Sequence, residues 1–137
     1  MTLFVDTSVL YAAADRSDRW NARAKEILAA GEPLVLSDHV LVETWLLAER
    51  RLGRDAAERL WEGIKRGGCA VETATAADLE VAWAIGDAFP DQGFSIVDRT
   101  SFAVMQRLGL SRVATFDDHF AVFRYGRQRA RAFELIR

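Results

Sequence analysis

Four carboxylates stand in apolar surroundings in this sequence. Asp6 closes the run Leu3-Phe4-Val5, and Asp117 follows Arg112-Val113-Ala114-Thr115. Glu43 lies within Val40-Leu41-Val42-Glu43-Thr44-Trp45-Leu46-Leu47, and Asp98 within Phe94-Ser95-Ile96-Val97-Asp98-Arg99-Thr100-Ser101-Phe102. An ionised carboxylate among apolar neighbours is unfavourable unless something partners it. Local explanations compete with a functional one. Asp6 fits a helix cap, and Glu43 fits the edge of an apolar helix stripe or an Arg pair. Asp98 has less excuse, since Asp is a poor residue inside a helix. Asp117 and Asp118 are adjacent, so either can cap the helix that follows while the other serves as ligand. Brought into one cleft, four carboxylates repel and hold protons unless a cation joins them. Mg²⁺ or Mn²⁺ suits such a set, because hard ions prefer oxygen ligands and keep several waters. Ions of this kind acidify bound water and stabilise charge on a phosphoryl group. Ser8, Ser95 and Thr115 place hydroxyls close by, as orienting partners or phosphate contacts or as ordinary caps.

The convergence requires a scaffold. Strand candidates are Leu3–Val5, Leu34–Leu36, Cys69–Glu72 and Arg112–Thr115, with Ala132–Leu135 as a possible edge strand. Helical patterns lie between them: Asn21–Ala30, His39–Leu52, Arg54–Arg66, a segment from about Ala77 to Phe89, Ser95–Leu108 and Asp118–Val122. Short apolar strands alternating with helices predict an α/β domain with a short parallel sheet sandwiched by helices. Such sheets bind ligands beyond the C-terminal ends of their strands. Asp6 and Asp117 belong at that edge, and helices returning along the sheet can bring Glu43 and Asp98 to it.

Length and composition agree. With 137 residues and 50% hydrophobic content, the chain suits one compact domain, residues 1–137, without repeat or linker. A formal charge of −2 neither favours nor excludes a nucleic-acid partner. Lys25 and Lys65 are the only lysines, so nearly every cation is an Arg able to fork onto phosphate or carboxylate oxygens. Cys69 is alone, which excludes an intrachain disulfide and suits a reducing compartment. The start does not read as a signal peptide and no apolar run approaches a membrane span. We therefore expect a soluble, cytoplasmic protein with no membrane role.

Leu3-Phe4-Val5-Asp6-Thr7-Ser8, Val42-Glu43, Ser95-Ile96-Val97-Asp98 and Ala114-Thr115-Phe116-Asp117-Asp118-His119-Phe120 resemble, in order, the motifs of PIN-domain ribonucleases. The resemblance is closest to the VapC-type toxins of bacterial toxin–antitoxin pairs, and it spans nearly the whole chain. It implies a PIN-like fold and a Mg²⁺- or Mn²⁺-dependent endoribonuclease that hydrolyses RNA phosphodiester bonds by metal-activated water. Asp6, Glu43, Asp98 and Asp117 would form the catalytic, metal-binding quartet. It further implies a cognate VapB-type antitoxin and a homodimer.

Arg124, Arg127, Arg129 and Arg131 crowd a span free of acids, a candidate contact for RNA or antitoxin. Trp20 or Phe94 could stack on unpaired bases, while Trp45, Trp61 and Trp83 read as core. His39 and His119 show no partner at metal-ligand spacing and read as structural. Two other parallel-sheet enzymes fit poorly. A receiver-type signalling domain needs an acidic pair near the first strand and a Lys near the last, and a haloacid-type phosphatase needs an Asp where Ser8 stands. The stronger rival is a PIN-like module that binds RNA or protein without turnover.

Overall fold

A computed structural model describes Met1–Arg137. Five strands form one parallel sheet: β1 (Leu3–Val5), β2 (Leu34–Ser37), β3 (Ala70–Glu72), β4 (Arg112–Ala114) and β5 (Glu134–Ile136), in the order β3-β2-β1-β4-β5. Leu3, Phe4 and Val5 are all buried, so the central strand is covered on both faces, as parallel sheets require. The seven helices are α1 (Thr7–Ala14), α2 (Asn21–Leu28), α3 (Asp38–Leu52), α4 (Arg54–Gly63), α5 (Ala76–Ala88), α6 (Ile96–Leu108) and α7 (His119–Val122). They pack largely in pairs, α1 with α2, α3 with α4 and α5 with α6. The sandwiched parallel sheet expected from the sequence is what forms.

Most element ends shift by a residue or two, β5 falls at Glu134–Ile136 rather than Ala132–Leu135, and two of the shifts have clear physical reasons. The helical pattern up to Arg66 breaks early: α4 stops at Gly63 and Ile64–Gly68 makes a wider π-type turn. Gly67 has φ +96°, and a Cβ on Gly68 would lie 2.9 Å from the Gly63 carbonyl oxygen, so glycine is needed at both. Helix α6 begins at Ile96 rather than Ser95, because Ser95 is its N-cap and accepts from Asp98 N at 3.0 Å.

A cluster of aromatic rings fastens the C-terminal third to the sheet. Phe102 stacks on Phe123 with centroids 4.2 Å apart and meets Phe120 edge-on at 5.0 Å. Phe94 belongs to the same cluster, edge-on to Phe102 at 5.2 Å.

Candidate metal centre

The chain runs from β1 outward to β3, then returns to place β4 on the other side of β1. The topological switch point therefore lies between β1 and β4, where open α/β sheets hold their ligands. Asp6 sits at that point, its amide donating to Ala114 O at 3.0 Å. Its side chain caps α1 and is nearly sealed, with the residue 4% exposed. Ser8 Oγ and Thr115 Oγ1 donate to Asp6 Oδ2 at 2.8 and 2.9 Å. Burial nonetheless pushes the Asp6 carboxyl up to about 6; the two hydroxyls oppose the shift, and the charges of Asp98 and Asp117 reinforce it.

Asp98 is the third residue of α6, not an interior one. Its Oδ2 accepts from Ser95 N at 3.0 Å in a capping box and lies 2.8 Å from His119 Nδ1. Asp117 is held from both ends: its amide donates to Thr115 Oγ1 at 3.0 Å, and its Oδ1 accepts from His119 N at 2.9 Å. One ligand atom each from Asp98, Asp117 and His119 falls within 4.8 Å of the others. Burial of the ring works against its charge, but the contact with Asp98 and the charges of Asp117, Asp98 and Asp118 together hold the imidazole above the usual His value.

Glu43, half-buried on α3, faces the same centre. Burial raises its carboxyl, the nearby Thr7 hydroxyl opposes this, and the charges of Asp98 and Asp117 add to the rise. Thr7 Oγ1 is itself buried without hydrogen-bond geometry to any protein atom. The arrangement fits a divalent cation. Every protein hydrogen bond to Asp6 and Asp98 side chains lands on Oδ2, and the one to Asp117 lands on Oδ1, leaving Oδ1, Oδ1 and Oδ2 free. Oxygen donors that are oriented yet unsatisfied, beside a buried orphan hydroxyl, form the donor set that a hydrated hard ion takes.

Comparison with known protein families matches the PIN domain over residues 3–124. This chain belongs to the PIN-domain family. Among its relatives is the 23S rRNA-specific endonuclease VapC20 of Mycobacterium tuberculosis, 38% identical over 125 residues, covering 87% of this chain and 92% of that one. The crystal structure of VapC20, described as a sarcin–ricin loop cleaving toxin, superposes with a TM-score of 0.81 at 36% identity over the same shares. Ribonuclease VapC26 of the same organism is 27% identical over 124 residues, covering 89% of this chain and 92% of its own. The chain is thus a PIN domain homologous to the VapC endonuclease toxins.

The PIN domain departs from several sequence expectations. His119 is not remote structure: it touches Asp98 and lies 3.6 Å from Asp117 Oδ1. The available signal was its place two residues after Asp117, where a turn capped by that carboxylate returns the ring to the site. Asp118 occupies the N-cap position of α7, but its side chain turns outward and accepts from Arg137 Nη1 at 2.7 Å, while the Asp117 carboxylate accepts from the first amide of α7, His119 N. Phe94 is 7% exposed, lies against His119 within the aromatic cluster and cannot receive a base. Trp61 and Trp83 are not core but 43% and 76% exposed. Apolar Leu46 is exposed as well, because the buried face of α3 runs through Val40, Thr44 and Ala48 instead. His39 is structural, its Nδ1 3.2 Å from Thr100 Oγ1. Of the tail arginines, Arg124 donates to carbonyls at the end of α7 and Arg129 lies 4.5 Å over the Phe89 ring. Phe89 packs on Phe94, which meets His119, so the basic tail connects to the site through aromatic contacts.

Proposed function

We infer that this PIN domain is a Mg²⁺- or Mn²⁺-dependent endoribonuclease, the toxin of a VapBC-type pair acting in the cytoplasm. The observation that carries the reading is the set of free carboxylate oxygens gathered at the β1–β4 switch point. Asp6, Glu43, Asp98 and Asp117 would hold the ion, with Ser8 and Thr115 fixing Asp6, and Ser95 fixing Asp98. When bound, the ion supplies Lewis acidity to water and to the scissile phosphate. The protein's own groups do the positioning. Thr115 ties Asp6 to Asp117 through one hydroxyl, and Asp98 is locked by its capping box, so no carboxylate must reorganise as charge develops. His119 orients Asp98 through its ring Nδ1. Hydrolysis of this type leaves 5′-phosphate and 3′-hydroxyl ends.

The likeness to VapC20 supports a large-subunit ribosomal RNA loop as substrate. Arg124, Arg127, Arg129 and Arg131 form no ion pair within the chain and would meet RNA phosphates or acidic groups of the antitoxin. A cleft of about 680 Å³ beside Glu43, bordered by exposed Val42, Leu46 and Ile96, supports a homodimer closing over α3 and α6. No helix is long and apolar enough to cross a membrane.

The test compares purified wild type with Asp98→Asn on intact ribosomes and on structured RNAs, with Mg²⁺, Mn²⁺ or EDTA, mapping ends by primer extension. Metal-dependent cleavage at one site, lost in the variant, is the expected result. Asn retains the Ser95 cap acceptor, so a folded, inactive variant isolates the charge. Cleavage indifferent to EDTA, or 2′,3′-cyclic phosphate ends, would overturn the reading. RNA binding without cleavage would favour the non-catalytic binding module.

A further inference from the structure

The loop between α1 and α2 presents an aromatic platform at the rim of the acidic centre. Trp20, 40% exposed, stacks on Phe116 with centroids 5.0 Å apart and planes inclined by 14°. Phe116 is the link between Thr115, which donates to Asp6, and Asp117, and its amide donates to Ser8 Oγ at 3.0 Å. The platform is therefore fixed to the peptide that builds the site. Arg19, exposed and without a carboxylate partner, lays its guanidinium 5.1 Å over the Trp20 ring.

The loop is rigidly tied. Asp15 accepts from Tyr11 Oη at 2.7 Å and from Ser17 N and Oγ at 2.9 and 2.7 Å. Asp18 Oδ1 accepts from Trp20 N at 2.8 Å, and Asn21 Nδ2 donates to Ala12 O at 2.7 Å. Core packing does not explain so much local fastening of an exposed indole. A preorganised ring loses little side-chain entropy on binding, which favours recognition. Of the ligands that suit an aromatic face with a cation above it, an unpaired base on a phosphate backbone fits both groups.

We propose that a nucleobase flanking the scissile phosphate inserts between the Trp20 ring and the Arg19 guanidinium, with Phe116 backing the stack. Arg19 must lift to admit the base, a movement open to an exposed side chain. Phe116 then sets the distance from the stacked base to the acidic centre, so the platform selects which phosphate is cut.

The proposal rests on the nuclease reading, so wild-type cleavage is mapped first. RNA oligonucleotides spanning the cut are then titrated against Asp98→Asn protein in Mn²⁺, followed by anisotropy, alone and combined with Trp20→Ala, Trp20→Phe or Arg19→Ala. Trp20→Ala is expected to raise Kd roughly 5- to 100-fold, with Trp20→Phe close to the parent. An abasic nucleotide at one flanking position should weaken parent binding as much as Trp20→Ala does, and should cost that variant nothing further. Circular dichroism controls for folding. Unchanged RNA affinity and kcat/KM in Trp20→Ala, or an abasic penalty equal in both proteins, overturns the platform while leaving the nuclease intact. Unchanged RNA affinity with an altered oligomeric state would reassign Trp20 to a protein contact and likewise overturn it. Absence of any wild-type cleavage removes both readings.

Discussion

His119 Nδ1 lies 2.8 Å from Asp98 Oδ2, and the backbone amide of the same histidine donates to Asp117 Oδ1 at 2.9 Å. One residue thus fixes two carboxylates, one through its ring and one through its main chain. Removing the ring leaves the Asp117 contact intact and strips Asp98 Oδ2 of one of its two partners, with the Ser95 amide remaining. His119→Ala should therefore fold normally, need more Mn²⁺ for half-maximal cleavage, and lose about 10- to 100-fold in activity. Metal titrations of cleavage check this, and unchanged metal dependence would reduce the histidine to packing.

Asp6 makes stability depend on pH in an unusual direction. Its folded carboxyl titrates at about 6, above an unfolded value of 3.8, so the folded state binds more protons between these pH values. The resulting stabilisation is full below the unfolded value and is lost as pH rises through 6. Metal-free Asp6→Asn should therefore be more stable than wild type at pH 7.5, by about 3 kcal/mol, and should lose that advantage towards pH 4. Adding Mn²⁺ at pH 7.5 should stabilise wild type more than the variant. Urea unfolding at the two pH values, with and without metal, measures both effects.

Asp78 tests a buried carboxylate that serves structure. It is 3% exposed and caps α5 with Thr75, while Arg107 Nε and Nη2 donate to it at 3.0 and 2.9 Å. Burial pushes its carboxyl upward, but Arg107 and the Thr75 cap outweigh burial and hold it below the ordinary value. Its contribution is complete above an unfolded value of about 4 and vanishes only as pH falls below that. Asp78→Ala should lose about 2 kcal/mol equally at pH 5 and 7.5, through the cap and the ion pair. Cleavage per folded molecule should not change.

Arg127 and Arg129 lie in a short turn whose Gln128 and Arg129 have φ of +57° and +51°, a conformation uncommon outside glycine. If both arginines meet phosphates, replacing them with Ser should weaken RNA binding across sequences and reduce the slope of log K against log salt by about 1.4. An unchanged slope, measured by anisotropy between 50 and 200 mM salt as typical conditions, would assign the tail to the antitoxin.

The strand–helix alternation, the parallel sheet and the family motifs were legible in the residue order, because apolar period and cap residues are local properties. The same local logic marked Asp6, Glu43, Asp98 and Asp117 as carboxylates out of place, and the fold gathers all four at one edge. Contacts between distant segments were not legible. Thr115 reaches Asp6 and Arg107 reaches Asp78 across loops and sheet order, with nothing in either local sequence to announce the partner. Asp98 looked like an interior helix residue until the helix start placed it third in a capping box. His119 looked isolated until the turn after β4 carried its ring onto Asp98. The same limit explains Trp61 and Trp83: helical period marks an apolar face, but only packing decides which face meets the core and which meets water.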